Sequence, residues 1–150
     1  MNLRKQIVFA YGNWSSFNAV SSGVPQGSIL GPLLFLLFIN DLPLNIQSKF
    51  HIYADDVQIY RSFSLSDANI CITLLNKDIN EVVKWSALNG IKINCSKSQA
   101  IIITKRRINR CAVPKIVIAD KEIPYVSKIK NLGLILNETL SWDDHVNEMN

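Results

Sequence analysis

The period of the apolar positions changes several times along the chain, and each change marks an element. Residues 6–11 and 17–21 read as two strands, with Gly12-Asn13 between them as turn chemistry. A Gly/Pro-rich loop over 22–28 leads into a stretch that is apolar nearly all round. It predicts a deeply buried helix starting near Ser28 and running to about Leu42, with Pro32 at an early helical position where its missing N–H has no partner to lose. Asn40-Asp41-Leu42-Pro43 ends it. Residues 50–54 and 57–61 flank Asp55-Asp56 as a hairpin. Leu75, Ile79, Val82 and Val83 recur at i, i+4, i+7 and i+8 and predict a helix over 66–89, with Ser66 as its N-cap and Gly90 as its stop. Residues 91–94 and 99–104 are β-like, 115–119 and 122–126 can pair across Asp120-Lys121, 131–136 form another short strand, and a helix starts at Asp143. Strands and helices mixed in this order predict an α+β fold.

Composition narrows the class. With 150 residues, 48% hydrophobic and 19% charged, the chain builds a core and suits one domain or a piece of one. Cys71, Cys95 and Cys111 are widely spaced without a C-x-x-C pair, which disfavours a disulfide framework or a zinc knuckle; Cys71 and Cys95 read as core thiols. The longest apolar run, 33–39, has seven residues, where a membrane span needs about 20. No secretory signal follows the N-terminus. These features predict a soluble, intracellular chain, nuclear or cytoplasmic, with no membrane partner. Trp14, Phe17, Phe35 and Phe38 are expected in the core, and His51 in a structural role.

The net charge of +4 is unevenly placed. Residues 96–130 carry nine Lys and Arg against two acids, which fits phosphate contact as well as an ordinary solvated face. Residues 137–150 carry four acids and neither Lys nor Arg, and no Asp or Glu precedes Asp41.

Two motifs carry candidate chemistry. Tyr53-Ala54-Asp55-Asp56 puts adjacent carboxylates at a hairpin tip between apolar flanks. Like charges so close repel, and a divalent cation such as Mg²⁺ resolves the conflict because it takes carboxylate and phosphate oxygens together. A solvated β-turn is the plain alternative. Gly23-Val24-Pro25-Gln26-Gly27-Ser28 sits before the apolar helix: its glycines permit close backbone approach, Pro25 stiffens it, and Gln26 can donate and accept. A helix start behind it favours anions, although an ordinary loop-to-helix entry would look the same.

Taken together, residues 23–43 and Tyr53-Ala54-Asp55-Asp56 resemble the reverse transcriptase of non-LTR retrotransposons, most like the jockey type. The resemblance continues through Trp85, 89–94 and Lys97, then Leu132-Gly133, Leu140-Ser141-Trp142 and His145, and covers about residues 6–146. It implies a partial right-hand polymerase palm, with antiparallel sheet and packed helices, over 1–136, and the primer-grip exit and start of the thumb over 137–150. It also implies RNA-directed DNA synthesis on a template-primer with deoxynucleotides, and Mg²⁺ or Mn²⁺ as cofactor. By this resemblance Asp55 is a direct metal ligand and Asp56 a supporting carboxylate. Tyr53 lies near the primer end, Pro25, Gln26 and Gly27 lie against nucleotide and template, Lys97 lies near the departing pyrophosphate, and Leu132 and Gly133 belong to the primer grip.

The same resemblance implies a third carboxylate from a strand before the Gly-rich loop, where this chain has no acid; Asp41 lies after it. The expectation is therefore that the chain alone does not polymerise, and that the fingers and first catalytic motif are absent from it. The alternative is a non-enzymatic, nucleic-acid-binding remnant of a mobile element. An intron-encoded maturase is disfavoured by Phe38-Ile39-Asn40-Asp41-Leu42-Pro43 and by the 132–145 pattern.

Overall fold

A computed structural model describes residues 4–20, 23 and 27–149. The chain divides into two compact units, residues 1–41 and 42–150. The described residues form three α-helices and short antiparallel strand pairs, the mixed α+β class that the sequence predicts. Each of these strands pairs within one of five two-stranded ladders.

In the first unit β1 (Arg4–Gln6) pairs with β4 (Asn18–Val20), and β2 (Phe9–Ala10) with β3 (Asn13–Trp14). The turn falls at Tyr11-Gly12, one residue earlier than predicted. Both carry positive φ, 50° and 77°, the combination a two-residue type I′ hairpin needs. Helix α1 (Gly31–Ile39) starts three residues after Ser28, whose Oγ accepts the Gly31 N–H at 2.9 Å.

The expected deep burial of this helix is corrected. Only Gly31 and Ile39 are buried, and Leu33, Leu34, Leu36, Leu37 and Phe38 are exposed, Leu37 by 66%. An all-round apolar helix needs cover on every side, and residues 4–41 offer only strands of two or three residues. The core placement of Trp14, Phe17 and Phe38 is corrected for the same reason: all three are exposed, with Trp14 resting on Phe9 at a 4.6 Å centroid distance.

The second unit is organised by helix α2 (Ala68–Leu88). Its apolar stripe brings Ile72 and Leu75 against Val113, Ile116 and Ile123, with Ile59, Ile79, Cys95 and Tyr125 packed around them. Full burial of such a side chain is worth about 1.5–3 kcal/mol. The helix begins two residues after Ser66, so the predicted cap is corrected: Ser64 and Ser66 both hydrogen-bond the Asp67 carboxylate instead. Gly90 ends it at φ 69°, as predicted. Cys71 is buried and Cys95 half-buried, both free thiols; the side chain of Cys111 lies outside the described residues.

Three hairpins belong to this unit. β5 (Lys49–Tyr53) pairs with β6 (Asp56–Tyr60), β7 (Ile116–Ile118) with β8 (Lys121–Ile123), and β9 (Lys128–Asn131) with β10 (Leu134–Asn137). Helix α3 (Asp143–Met149) follows. Residues 91–94 and 99–104 are not regular strands, against expectation. The second segment instead meets Pro124 and Val126 through the Ala100 backbone, and Glu138 through the Thr104 N–H at 2.7 Å. Isolated bonds of this kind satisfy the backbone without a continuous partner strand.

Candidate active site

The β5–β6 hairpin carries the acid pair. Phe50 and Ile52 stand opposite Ile59 and Val57 on one face, while Lys49, His51 and Tyr53 stand opposite Tyr60, Gln58 and Asp56 on the other. The apolar face is half-buried, and Ile59 joins the core around α2. This period-2 split fixes the register, because a one-residue slip would turn the apolar face to water.

The loop is Ala54-Asp55, so Asp56 is the first residue of β6, opposite Tyr53, rather than part of the turn. Ala54 has φ 51°, an uncommon conformation for a side-chain-bearing residue that costs on the order of 1 kcal/mol. Such outliers persist where the surroundings over-determine them, often at functional sites.

Asp55 and Asp56 are both exposed, and neither carboxylate has a hydrogen-bond or ion-pair partner among the described residues. Tyr53 beside them is 65% exposed. Two adjacent, unpartnered carboxylates supply hard oxygen donors of the kind Mg²⁺ or Mn²⁺ takes. They fit one part of a cation's ligand set. No group of three His, Cys, Asp or Glu suited to a metal occurs among the described residues.

The base of the hairpin is held by a group that the sequence reading missed. Asp78 on α2 is 3% exposed. Its carboxylate accepts the N–H groups of Gln47 at 3.1 Å and Ser48 at 2.8 Å, and the Ser48 hydroxyl. Arg61 lies 3.7 Å from the same carboxylate and donates its Nε–H to Ser48 Oγ at 2.6 Å. Ser48 precedes β5 and Arg61 follows β6, so one buried acid ties both ends of the hairpin to the helix. Burial alone would raise the Asp78 pKa. The Ser48 hydroxyl, the Gln47 and Ser48 amides and Arg61 outweigh it and hold the carboxyl below its ordinary 3.8.

The other predicted site residues fall in several places. Pro25 and Gln26 lie outside the described residues; Gly27 is exposed with φ 80°. Lys97 is exposed, and its side chain makes no hydrogen bond or ion pair among the described residues. Leu132 and Gly133 form the turn of the β9–β10 hairpin, with φ 48° and 86°, and Leu132 is 56% exposed. Their hairpin meets the acid hairpin through Gln58, whose Nε2 donates to Asn131 Oδ1 at 2.7 Å. His51 accepts or donates at Nε2 to Tyr60 Oη at 2.9 Å across the hairpin's exposed face.

The family model for reverse transcriptase (RNA-dependent DNA polymerase) matches residues 2–136. The chain belongs to the reverse transcriptase family. Its relatives are of the jockey-like, non-LTR retrotransposon type. It is 34% identical over 141 residues to a probable RNA-directed DNA polymerase from transposon X-element of Drosophila melanogaster, a match covering 90% of this chain and 15% of that protein. It is 28% identical to the RNA-directed DNA polymerase from mobile element jockey of Drosophila funebris, over 97% of this chain and 16% of that protein. It is 29% identical to a Pol polyprotein from a type-1 retrotransposable element R1 of Nasonia vitripennis, over 85% and 32%. The chain thus spans about a sixth of the length of the first two relatives. No solved structure matches.

No helix among the described residues is long and apolar enough to cross a membrane.

Proposed function

We propose that this chain is a palm segment of an RNA-directed DNA polymerase of a non-LTR mobile element. In this reading residues 1–136 belong to the palm and 137–150 lead toward the thumb. The supporting observation is the β5–β6 hairpin: Asp55 at the tip and Asp56 opposite Tyr53, both exposed and unpartnered, on a scaffold fixed at its base by Asp78. Asp55 is the direct ligand for Mg²⁺ or Mn²⁺ and Asp56 the supporting carboxylate. Bound cations supply electrostatic stabilisation to the attacking and leaving oxygens of nucleotidyl transfer. Tyr53 serves the primer end, Pro25, Gln26 and Gly27 serve nucleotide and template, and Leu132-Gly133 serves the primer grip.

The chain by itself is inactive in this reading. It has no acid before Asp41 to complete the ligand set, and a misplacement of about 1 Å in a reacting group already costs about 10²-fold. The same features support nucleic-acid binding without catalysis as the property of the isolated chain. Two measurements test the pair of statements. The purified chain with template-primer, deoxynucleotides and Mg²⁺ gives no extension; robust extension overturns the inactivity. In a full-length polymerase carrying this segment, Asp55→Asn abolishes synthesis and leaves template binding intact. Near-normal synthesis by that variant removes Asp55 from the metal site.

A further inference from the structure

The proposed site needs two separate hairpins held at a fixed reach, one bearing the carboxylates and one bearing the Leu132-Gly133 turn. No strand ladder joins them: β5–β6 and β9–β10 are independent two-stranded sheets. A side-chain amide pair spans the gap. Gln58 Nε2 donates to Asn131 Oδ1 at 2.7 Å, in a partly buried position. Gln58 stands two residues beyond Asp56 on the same face of β6, and Asn131 immediately precedes Leu132. The contact therefore lies close in sequence to both functional elements.

We propose that Gln58 and Asn131 are a positioning pair that sets the orientation of the primer-holding turn relative to the acid pair. This rests on the reading of the site given above. Hydrogen-bond strength falls steeply with distance and misalignment, so a short bond between two branched amides constrains direction as well as spacing. Each hairpin is paired along its own ladder, and the side-chain hydrogen bond couples the two at the site. Reacting groups tolerate little displacement, which gives such a link its consequence.

The experiment uses the whole chain, isotope-labelled, with residual dipolar couplings of the amides in 49–60 and 128–137. In the wild type both hairpins fit one alignment frame. Gln58→Leu roughly keeps the side-chain volume, removes the donor and yields two frames; Asn131→Leu is bulkier, removes the acceptor and also yields two frames. The exchanged pair, Gln58→Asn with Asn131→Gln, keeps the combined reach and returns one frame. A general loss of stability would not produce that recovery. Amide exchange in the β9–β10 ladder rises about fivefold in the single variants, the factor an ordinary hydrogen bond contributes. Should a leucine variant unfold, Gln58→Met keeps the length and shape of the side chain without its amide donor or acceptor and is expected to give two frames. One frame in the folded single variants, or failure of the exchanged pair to restore it, overturns the proposal. Added Mn²⁺ tests the reading beneath it separately: broadening at the Asp55 and Asp56 amides supports the metal site. Its absence strikes the metal site while the dipolar couplings still decide the pair.

Discussion

Asp78→Ala is the most informative perturbation of the scaffold, because one carboxylate accepts three hydrogen bonds from two residues, Gln47 and Ser48. Removing it leaves the buried Ser48 N–H and hydroxyl without their acceptor, while Gln47 is exposed and its N–H can turn to water. A buried donor left unsatisfied costs about 1–3 kcal/mol. The Arg61 ion pair adds little, since that side chain is 24% exposed and its nitrogen sits 3.7 Å away. The sum is about 3 kcal/mol, which lowers the melting temperature of the 42–150 unit by about 10–20 °C. Urea denaturation of wild type and variant, fitted with a common m-value, measures it. A double-mutant cycle with Ser48→Ala isolates the shared bonds, and the two losses should fall short of additivity by about 1 kcal/mol or more. The pH dependence follows from the lowered pKa. The folded form binds the Asp78 proton less readily than the unfolded form, so the stabilisation is complete above the ordinary value of 3.8 and is lost as pH falls through the lower folded value. Asp78→Asn should flatten that acid limb. A loss below about 1 kcal/mol in Asp78→Ala, or an unchanged acid limb in Asp78→Asn, would refute the anchoring argument.

Four further outcomes follow. Ala54→Gly should be neutral within about 0.5 kcal/mol, relief of the positive φ offsetting glycine's extra chain entropy, whereas Ala54→Val should cost about 1–2 kcal/mol; thermal melts compare them. Leu37→Lys on the exposed face of α1 should change the stability of the chain by less than about 0.5 kcal/mol, and a large loss would restore the buried-helix expectation. Ile72→Ala, at the centre of the second unit, should cost about 2–5 kcal/mol in the same denaturation assay. Replacing Lys105, Arg106 and Arg107 with alanine should reduce the slope of log affinity for single-stranded nucleic acid against log salt by about 2, while Lys115→Ala leaves it nearly unchanged.

What the sequence disclosed followed the physics of each segment. The acid hairpin was legible because its apolar alternation and its Asp-Asp are both local, and only the turn was displaced by one residue. The helix over 68–88 was legible from its stripe, and its stripe also held the missed clue: Asp78 falls three residues after Leu75, an acid on the apolar face, and such a residue needs partners. Those partners, Gln47, Ser48 and Arg61, are 31, 30 and 17 residues away, so no local pattern names them. Residues 131–136 have the composition of one strand because Leu132-Gly133 looks apolar; the positive φ at Leu132 makes it a turn, which the single leucine does not announce. Residues 99–104 have strand composition, yet a strand needs a partner edge, and composition carries no information about whether one is offered. The α1 prediction failed on the same ground: periodicity reports that a face is apolar, whereas burial depends on what the remaining chain supplies.

The charge asymmetry is where sequence and structure inform each other most. The nine basic residues of 96–130 suggest a uniform phosphate-binding face. In the fold, Arg110 pairs with Glu138, Lys128 with Asp144 and Lys130 with Glu148, all acids of the 137–150 segment, and Lys115 pairs with Glu122. The acidic segment thus lies against the basic one and neutralises part of it, and Lys130 lowers the pKa of exposed Glu148 in the expected direction. Lys97, Lys105, Arg106, Arg107 and Lys121 remain exposed without an ion pair among the described residues. Phosphate contact through this segment should therefore concentrate at 105–107 and its neighbours. The paired bases act instead on geometry: Lys128 and Lys130 tie β9 to α3, and so help to hold the Leu132-Gly133 turn whose partner, through Asn131, is the acid hairpin.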